Sequence, residues 1–400
     1  MTITTLKPET AAQVTDAVRW ALSAGEPLEI LGSGSRRGLG RPVQAGHALD
    51  LSGLSGVIAY EPEELVLTAL AGTRMDPIRA MLADRGQHLA FEPPEGGTLG
   101  GLVASGLAGP RRISAGSARD HTLGIAGVSG RGEAYKGGGK VVKNVTGYDV
   151  PKLMAGSFGT LTALTEITVK VLPAPEDTAT LLLSGLDDQA AVAMLDRALR
   201  SPYEVSGAAH LPAGIAARSG VSAVSGAGGA ATLVRLEGFG PSVAARVTML
   251  REELRADAVL GRDESLAVWR EVRDGAGLGA CLGEGGDAHL WKLSVPPSAG
   301  PATVEAIRRK LDVEAFYDWG GGLVWLALRS DLAPPDSGAA IRGALSVGGH
   351  ATLVRAPESV RAATDVFQPL PEPLMALSRR VKESFDPKGI LNPGRMYAGL

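Results

Sequence analysis

Residues 92–112, Glu-Pro-Pro-Glu-Gly-Gly-Thr-Leu-Gly-Gly-Leu-Val-Ala-Ser-Gly-Leu-Ala-Gly-Pro-Arg-Arg, constrain this chain more than any other stretch. Two prolines followed by Gly96, Gly97, Gly100, Gly101, Gly106 and Gly109 suit neither an ordinary strand nor an ordinary helix. Glycine carries no Cβ, so it reaches positive φ and lets backbone amides come within hydrogen-bonding distance of a ligand. Successive unobstructed N–H groups form concavities that take anions, phosphates above all. Leu99, Leu102, Val103 and Leu107 make an apolar stripe, which predicts a short helix beginning near Thr98 with that threonine as its cap. A capped helix start beside glycines can seat a diphosphate. A glycine-rich surface loop without a ligand fits the same residues, and the stretch alone leaves both readings open.

A length of 400 residues exceeds one comfortable core and predicts two domains. The apolar share of 44% and the formal net charge of −3 describe a globular protein, without the basic excess of a nucleic-acid partner. Its 54 glycines cluster in loops with no fixed period, which excludes collagen-like and low-complexity readings. Cys281 is the single cysteine, so neither an internal disulfide nor an iron–sulfur cluster can rest on this chain's own thiols. The opening residues lack the charged and apolar blocks of a signal peptide, and no run of about 18 apolar residues predicts a membrane span. The expectation is a cytoplasmic chain.

Taken in order, residues 9–23 predict an amphipathic helix, with Gly25 as its stop. A strand at 27–31 runs straight into Gly32-Ser33-Gly34-Ser35-Arg36-Arg37-Gly38, where backbone donors and two hydroxyls converge. The helix that a dinucleotide fingerprint needs next is missing, because Arg41-Pro42-Val43 continues irregularly to a strand at 48–51. Strands at 57–60 and 65–70, a helix at 77–85 and a strand at 88–91 then deliver the chain to its glycine-rich centre. A small-residue loop at 114–120, a strand at 123–128, a turn at 144–149, a helical turn in 151–159 and a strand at 160–171 complete the first half. Pro173 and Pro175 mark the domain boundary. Beyond it, strands are expected at 180–184, 205–210, 232–237, 288–295, 313–317, 323–328 and 350–354. Helices are expected at 187–200, 242–255, 264–274, 302–311, 337–345 and 374–385. That alternation suggests an α+β sheet with helices on one face, and Gly-, Ala- and Ser-rich 219–231 reads as a mobile loop.

Three elements in order carry a resemblance: the loop 32–38, the stretch 92–112, and 143–173 with its Lys-Asn-Val-Thr-Gly-Tyr-Asp and Gly-Ser-Phe-Gly-Thr-Leu-Thr-Ala-Leu-Thr-Glu. Together they resemble the flavin-binding domain of the vanillyl-alcohol oxidase and p-cresol methylhydroxylase (PCMH) family. The closing Asp386-Pro387-Lys388-Gly389-Ile390-Leu391-Asn392-Pro393-Gly394-Arg395-Met396 is similar to the end of its 2-hydroxy-acid branch. Gly106–Arg112, Asp318-Trp319-Gly320-Gly321 and Gly348-Gly349-His350-Ala351-Thr352 narrow the resemblance to the FAD-binding subunits of bacterial glycolate oxidases.

The resemblance implies an α+β fold: a PCMH-type FAD-binding domain of two α+β subdomains over 1–173, an α+β cap domain over 174–370, and a closing helix and segment, 371–400, returning to the FAD domain. By position, Gly32, Ser33, Gly34, Ser35 and Arg36 take the pyrophosphate. Gly97, Thr98, Gly100, Gly101, Ser105 and Gly109 line the flavin and ribityl chain, with Gly116, Ser117 and Asp120 nearby, and Ile125 to Gly127 contact adenine. The first loop holds Ser and Arg where covalent members often carry His, so noncovalent FAD is expected, with His121 the nearest dissenter. The cap lacks the Gly-His-x-x-Asp-Gly-Asn-x-His segment that binds metal in catalytic members, so no metal site is expected. The implied partners are a catalytic flavoprotein sister subunit, an iron–sulfur subunit and a small 2-hydroxy acid, with any membrane contact made through the partner subunits.

Candidate catalytic residues are His350, Arg395 and Tyr148. His350 can be a base or a strand-end histidine bonded to backbone. Arg395 can clamp a carboxylate or tie the C-terminal segment to the core. Tyr148 and Tyr397 can face the flavin. Trp319 and Trp325 read as core, Arg111-Arg112 as a phosphate partner or a solvated pair, and Lys136, Lys140 and Lys143 as a solvated edge. Three functions fit: a glycolate oxidase subunit passing electrons through flavin to its partners, a self-sufficient FAD-dependent 2-hydroxy-acid (D-lactate-like) dehydrogenase, and a non-catalytic scaffold subunit. The missing paired-histidine segment favours the first over the second, and the intact glycine loops favour it over the third.

Overall fold

The structure, a computed structural model, describes residues 3–139, 147–279 and 288–400. Lys140, Lys143, the turn residues 144–146 and Cys281 lie outside the described residues. The chain divides into two units, one formed by Met1–Ala108, Gly116–Ala174 and Pro369–Leu400, the other by Gly109–Ala115 and Pro175–Gln368. The expected first domain ran unbroken to 173, so the excursion of 109–115 is a departure from it. Its cause is local: Ile113 packs against the apolar core of the second unit and Arg111 pairs with Glu237 there.

In the first unit, β1 (Thr4–Leu6), β2 (Leu28–Leu31) and β3 (His47–Asp50) form a parallel sheet in the order β1-β3-β2. Helix α1 (Ala11–Ala24) starts on a capping box between Thr10 and Gln13 and ends at Gly25, whose φ is 70°. Its Val14, Val18 and Ala21 recur on one face and are buried against Leu28, Leu49 and Leu51. A second, antiparallel sheet takes β4 (Val57–Glu61), β5 (Val66–Leu70), β6 (Thr122–Ser129), β7 (Ala134–Gly138) and β8 (Thr162–Lys170), in the order β4-β5-β8-β6-β7. Helices α2 (Met75–Ala83) and α3 (Leu99–Ser105) pack Met75, Ile78, Leu99, Leu102 and Val103 onto it. The strand expected at 88–91 is reduced to Gln87–His88, because Leu89, Ala90 and Phe91 turn into the core instead of pairing. Lys136 lies on the edge strand β7, where its side chain is exposed as expected.

The second unit is one eight-stranded antiparallel sheet. Its strands are β9 (Asp177–Ser184), β10 (Val205–Leu211), β11 (Ala231–Gly238), β12 (Ala258–Leu260), β13 (His289–Ser294), β14 (Glu314–Asp318), β15 (Leu323–Leu328) and β16 (His350–Arg355). They run β12-β9-β11-β10-β14-β15-β13-β16. Helices α4 (Asp188–Leu199) and α5 (Gly240–Leu254) cover the face that carries Leu181, Leu183 and Val234. Helix α6 (Arg262–Asp274) packs Val268, Trp269 and Val272 on the other face, against Leu182, Ala209 and Leu233. Helices therefore lie on both faces, not one. The reason is visible in β9, where three consecutive leucines are buried and both faces of the strand need cover. Residues 219–231 are not a plain loop: Ser222–Ser225 forms a helical turn and buries Val224.

The chain returns to the first unit through α7 (Glu372–Phe385) and its closing segment. Lys382 donates to Asp386 at 2.6 Å and to the carbonyls of Thr160 and Leu391. Asp386 in turn accepts the amides of Ile390 and Leu391. Both side chains are buried, so each charge is matched by its partner and by backbone dipoles. Leu391 then lies parallel beside Leu28, extending the edge of β2.

Candidate functional site

Two adjoining cavities open beside the end of β2 in the first unit. They share Ile30, Leu31, Gly32, Thr98, Gly101, Ala104, Phe158 and Asn392 as walls. Ser33, Gly34, Ser35, Arg36 and Ser105 line the first, and Gly100 the second. Among the described residues, nothing accepts a hydrogen bond from the amides of Ser33, Gly34, Ser35 or Arg36. Gly34 has φ of 72°, and no atom stands within 4 Å of the place its Cβ would take, so that space is open. Successive outward amides in a turn are an anion seat.

Two arginines follow one another in this loop. Arg37 pairs with the buried carboxylate of Glu29. Arg36 has no carboxylate within ion-pair range among the described residues; its recorded acceptor is the carbonyl of Gly96, at 3.4 Å. Burial, and then the nearby Arg79 charge, hold its proton affinity below the ordinary guanidinium value. A half-buried cation beside four outward amides makes a donor set that can hold a diphosphate.

Thr98 caps α3 by accepting the amide of Gly101, as the sequence predicts. Gly97 lies against the Arg36 side chain, where a Cβ would collide with the guanidinium. Gly100 is glycine for a packing reason: its amide donates to Ala71 at 2.7 Å, and a Cβ would stand 2.8 Å from that carbonyl. Ser105 donates back to the carbonyl of Gly101. Gly116, Ser117, Asp120, Ile125 and Gly127 do not line these two cavities. Ser117 and Asp120 cap a helical turn for each other, Ile125 belongs to the core, and Gly127 lets β6 pass close to Thr162. His121 is 1% exposed and its Nδ1 faces the carbonyl of Lys170 at 3.2 Å, so it is poorly placed to anchor a cofactor covalently.

Arg395 donates to the carbonyls of Arg36, Arg37 and Arg41, and its own carbonyl accepts the amide of Arg41. Of the two roles open to it, the structure supports the tie: the guanidinium fixes the back of the loop. Asn392 does the same from the side, accepting the amide of Ile30 and donating to Phe158. Tyr148 is 93% exposed and lines neither cavity. Tyr397 is half-buried, and burial raises its phenol above the usual value.

A second concentration of charge belongs to the second unit. Arg111 binds Glu237 through two hydrogen bonds of 2.6 and 2.9 Å, and Arg235, 1% exposed, lies 3.3 Å from the same carboxylate. Its two arginine neighbours outweigh burial and hold the Glu237 carboxyl well below the usual range. Arg112 instead stacks on Trp319, its Cζ 4.7 Å from the ring centroid, with no carboxylate in ion-pair range among the described residues. Lys292 lies over the same ring at 5.3 Å and over Trp325 at 4.8 Å. Burial pushes the Lys292 ammonium down to about 8, against the opposing pull of Asp318. His350 begins β16; burial, and then Arg112, lower its imidazole below the usual value, so it is neutral at pH 7. Gly109 falls in this unit, where its carbonyl accepts the indole N–H of Trp319. Trp319 is thus a cation-bearing ring and not simple core. Lys292 is the residue that reading the sequence missed. Its signal was a lone charge inside the apolar run His-Leu-Trp-Lys-Leu-Ser of a central strand. Among the described residues, no group of three or more His, Cys, Asp or Glu side chains is placed to hold a metal ion. No described helix is long and apolar enough to cross a membrane.

Comparison with known proteins agrees with this geometry. The model of the FAD binding domain matches residues 4–138, and that of the C-terminal domain of FAD linked oxidases matches 368–396. The chain is 37% identical over 388 residues to the glycolate oxidase subunit GlcE of Escherichia coli, covering 96% of this chain and 97% of that one. It is 27% identical over 415 residues to the glycolate oxidase subunit GlcD of Bacillus subtilis, covering 93% and 84% of the two. The solved structure of p-cresol methylhydroxylase with substrate bound shares the fold, with a TM-score of 0.73 and 17% identity over 99% of this chain and 88% of that one.

Proposed function

The chain belongs to the FAD-linked oxidases, and we propose that within them it is the FAD-binding subunit of a multi-subunit glycolate oxidase. The observation that carries this reading is the likeness to GlcE, because it runs end to end and takes in both units. The amides of Ser33 to Arg36 and the Arg36 guanidinium hold the FAD pyrophosphate, Gly97 lies against that guanidinium, and Gly32, Thr98, Gly100, Gly101 and Ser105 flank the rest of the cofactor. Binding is noncovalent. Bound FAD supplies an acceptor for the hydride of an alcohol carbon.

Oxidation of glycolate to glyoxylate also needs a base for the hydroxyl proton and a cation for the carboxylate. His350, neutral at pH 7, can take that proton. Arg395 is a positioning residue, since its guanidinium is engaged by loop carbonyls. Electrons pass through the flavin to partner subunits, a catalytic flavoprotein sister chain and an iron–sulfur subunit that supplies the clusters one cysteine cannot hold. The chain works in the cytoplasm and meets a membrane only through those partners.

The purified chain is expected to be yellow and to release intact FAD on acid or heat treatment. Mixed anaerobically with glycolate in a stopped-flow instrument, it is expected to show little flavin reduction until the partner subunits are added. Rapid, stoichiometric bleaching of the isolated chain, lost in His350→Ala, would overturn the subunit reading in favour of a self-sufficient dehydrogenase.

A further inference from the structure

The ammonium of Lys292 sits between two indole rings and has no hydrogen-bond acceptor or ion-pair partner among the described residues. Ring faces attract a cation but satisfy none of its three N–H donors. Arg112, its Cζ 4.7 Å from the centroid of the same Trp319 ring, is likewise without a carboxylate in ion-pair range among the described residues. Trp319 itself holds φ of 52°, a conformation that costs energy for a bulky residue. It is fixed there by its amide, which donates to Asp318 at 2.7 Å, and by its indole N–H, which donates to Gly109 at 3.2 Å. Two cations thus share one indole whose backbone is held in a costly conformation.

Strand register places further groups on the same face. Lys292 is opposite Trp325 on one side and Thr352 on the other, and Ser294, two residues on, is opposite His350. Side chains two apart on a strand share a face and stand about 7 Å apart. An imidazole and a hydroxyl therefore flank the ammonium at the reach of a two- or three-carbon molecule. Asp318 is near enough to support the Lys292 charge.

We propose that Lys292, caged by Trp319 and Trp325 and flanked by Arg112, anchors a binding site in the second unit for the carboxylate of a small 2-hydroxy or 2-oxo acid. The site deepens the glycolate reading above and rests on it for the choice of acid. Lys292 takes the carboxylate, Arg112 adds field, and the 2-oxygen lies towards His350 and Thr352.

The test is titration of the FAD-loaded full chain with glycolate, glyoxylate and oxalate, followed by calorimetry and by indole fluorescence. Lys292→Met, which keeps the aliphatic stem against the rings, is expected to weaken oxalate binding at least tenfold, with partial rescue in Lys292→Arg. Lys388→Met, on the exposed closing segment, is expected to bind oxalate like the unaltered chain. Raising the pH from 7 to 9.5 is expected to weaken binding to the unaltered chain, because Lys292 loses its proton; Asp318 opposes that loss, Arg112 favours it, and His350 is already neutral. Unchanged affinity in Lys292→Met would overturn the proposal, as would equal affinity for inorganic phosphate. No acid binding by a chain that retains its flavin would overturn the acid site and leave the flavin assignment standing. A chain that binds oxalate through Lys292 yet holds no FAD would do the reverse.

Discussion

Arg36-Arg37 in the first unit and Arg111-Arg112 in the second are built alike and serve differently. In each pair one arginine is neutralised by a buried glutamate, Glu29 or Glu237, and the other has no carboxylate within ion-pair range among the described residues. Around Arg36 the surroundings are backbone: unsatisfied amides on one side, and carbonyls that engage Arg395 on the other. Around Arg112 they are side chains: the Trp319 indole, a lysine and a histidine drawn from residues far apart in the sequence. The neutralised arginine fixes the architecture, and its neighbour is the one we propose for a ligand. Backbone donors suit a diphosphate of fixed shape, whereas side chains can be exchanged to select a substrate without disturbing the fold.

The comparison breaks most readily at the support of the first loop. Asp386→Ala leaves Lys382 buried without its partner and is expected to cost about 3–5 kcal/mol. Because Asp386 also holds the amides of Ile390 and Leu391, flavin should be lost with stability. Thermal melting with flavin absorbance after gel filtration reads both, and full retention of flavin would separate the closing segment from the loop.

Glu237→Ala is the corresponding break in the second unit, expected to cost about 3 kcal/mol by removing the carboxylate that buried Arg235 and Arg111 share. Flavin binding should survive. The intact carboxylate has a depressed folded value, so its contribution is complete above the unfolded value of about 4.3 and fades as pH falls below it. Melting curves from pH 6 to pH 3 should show the native protein converging on the variant.

Lys292→Met is expected to act in the opposite direction, stabilising the chain by about 2 kcal/mol at pH 7, since a desolvated cation is removed. Its folded value of about 8 lies below the ordinary 10.5, so the unfolded chain binds more protons across that window and native stability rises with pH. The advantage of the variant should therefore vanish by pH 10.5. A constant advantage would mean that the lysine is not buried as a charge.

The smallest effect sharpens the first loop. Gly34→Ala should cost about 1 kcal/mol, from its left-handed backbone alone, yet weaken flavin retention markedly. Gly100→Ala should do more harm to the fold, because its Cβ meets the Ala71 carbonyl. Urea melts of the two variants, each with its flavin content, distinguish a glycine kept for a ligand from one kept for packing.

These differences explain what the sequence disclosed. The helix cap at Thr98, the loop at 32–36 and most strand cores were legible because glycine clustering, cap residues and alternation are local signals, whereas β1, β7 and β12 were not expected. Arg395 was legible as important but not in role, since its partners are carbonyls, which carry no side-chain signature. The second cationic cluster was not legible. Residues 112, 292, 319, 325 and 350 meet only through strand register and cap geometry, and no spacing announces them. Helix α6 was expected, but its place on the second face of the large sheet was not, for a related reason: a run such as Leu181-Leu182-Leu183 has no period from which to choose a face.

The bond from the Ile30 amide to Asn392 joins positions 362 apart. During synthesis the residues of the first loop emerge long before the Asn392 and Arg395 side chains that fix them. Contacts of such separation close late and slowly. The loop therefore reaches its final shape only once Asn392 and Arg395 have been made, and a chain truncated ahead of Asn392 is expected to carry every glycine of the loop and yet retain less flavin.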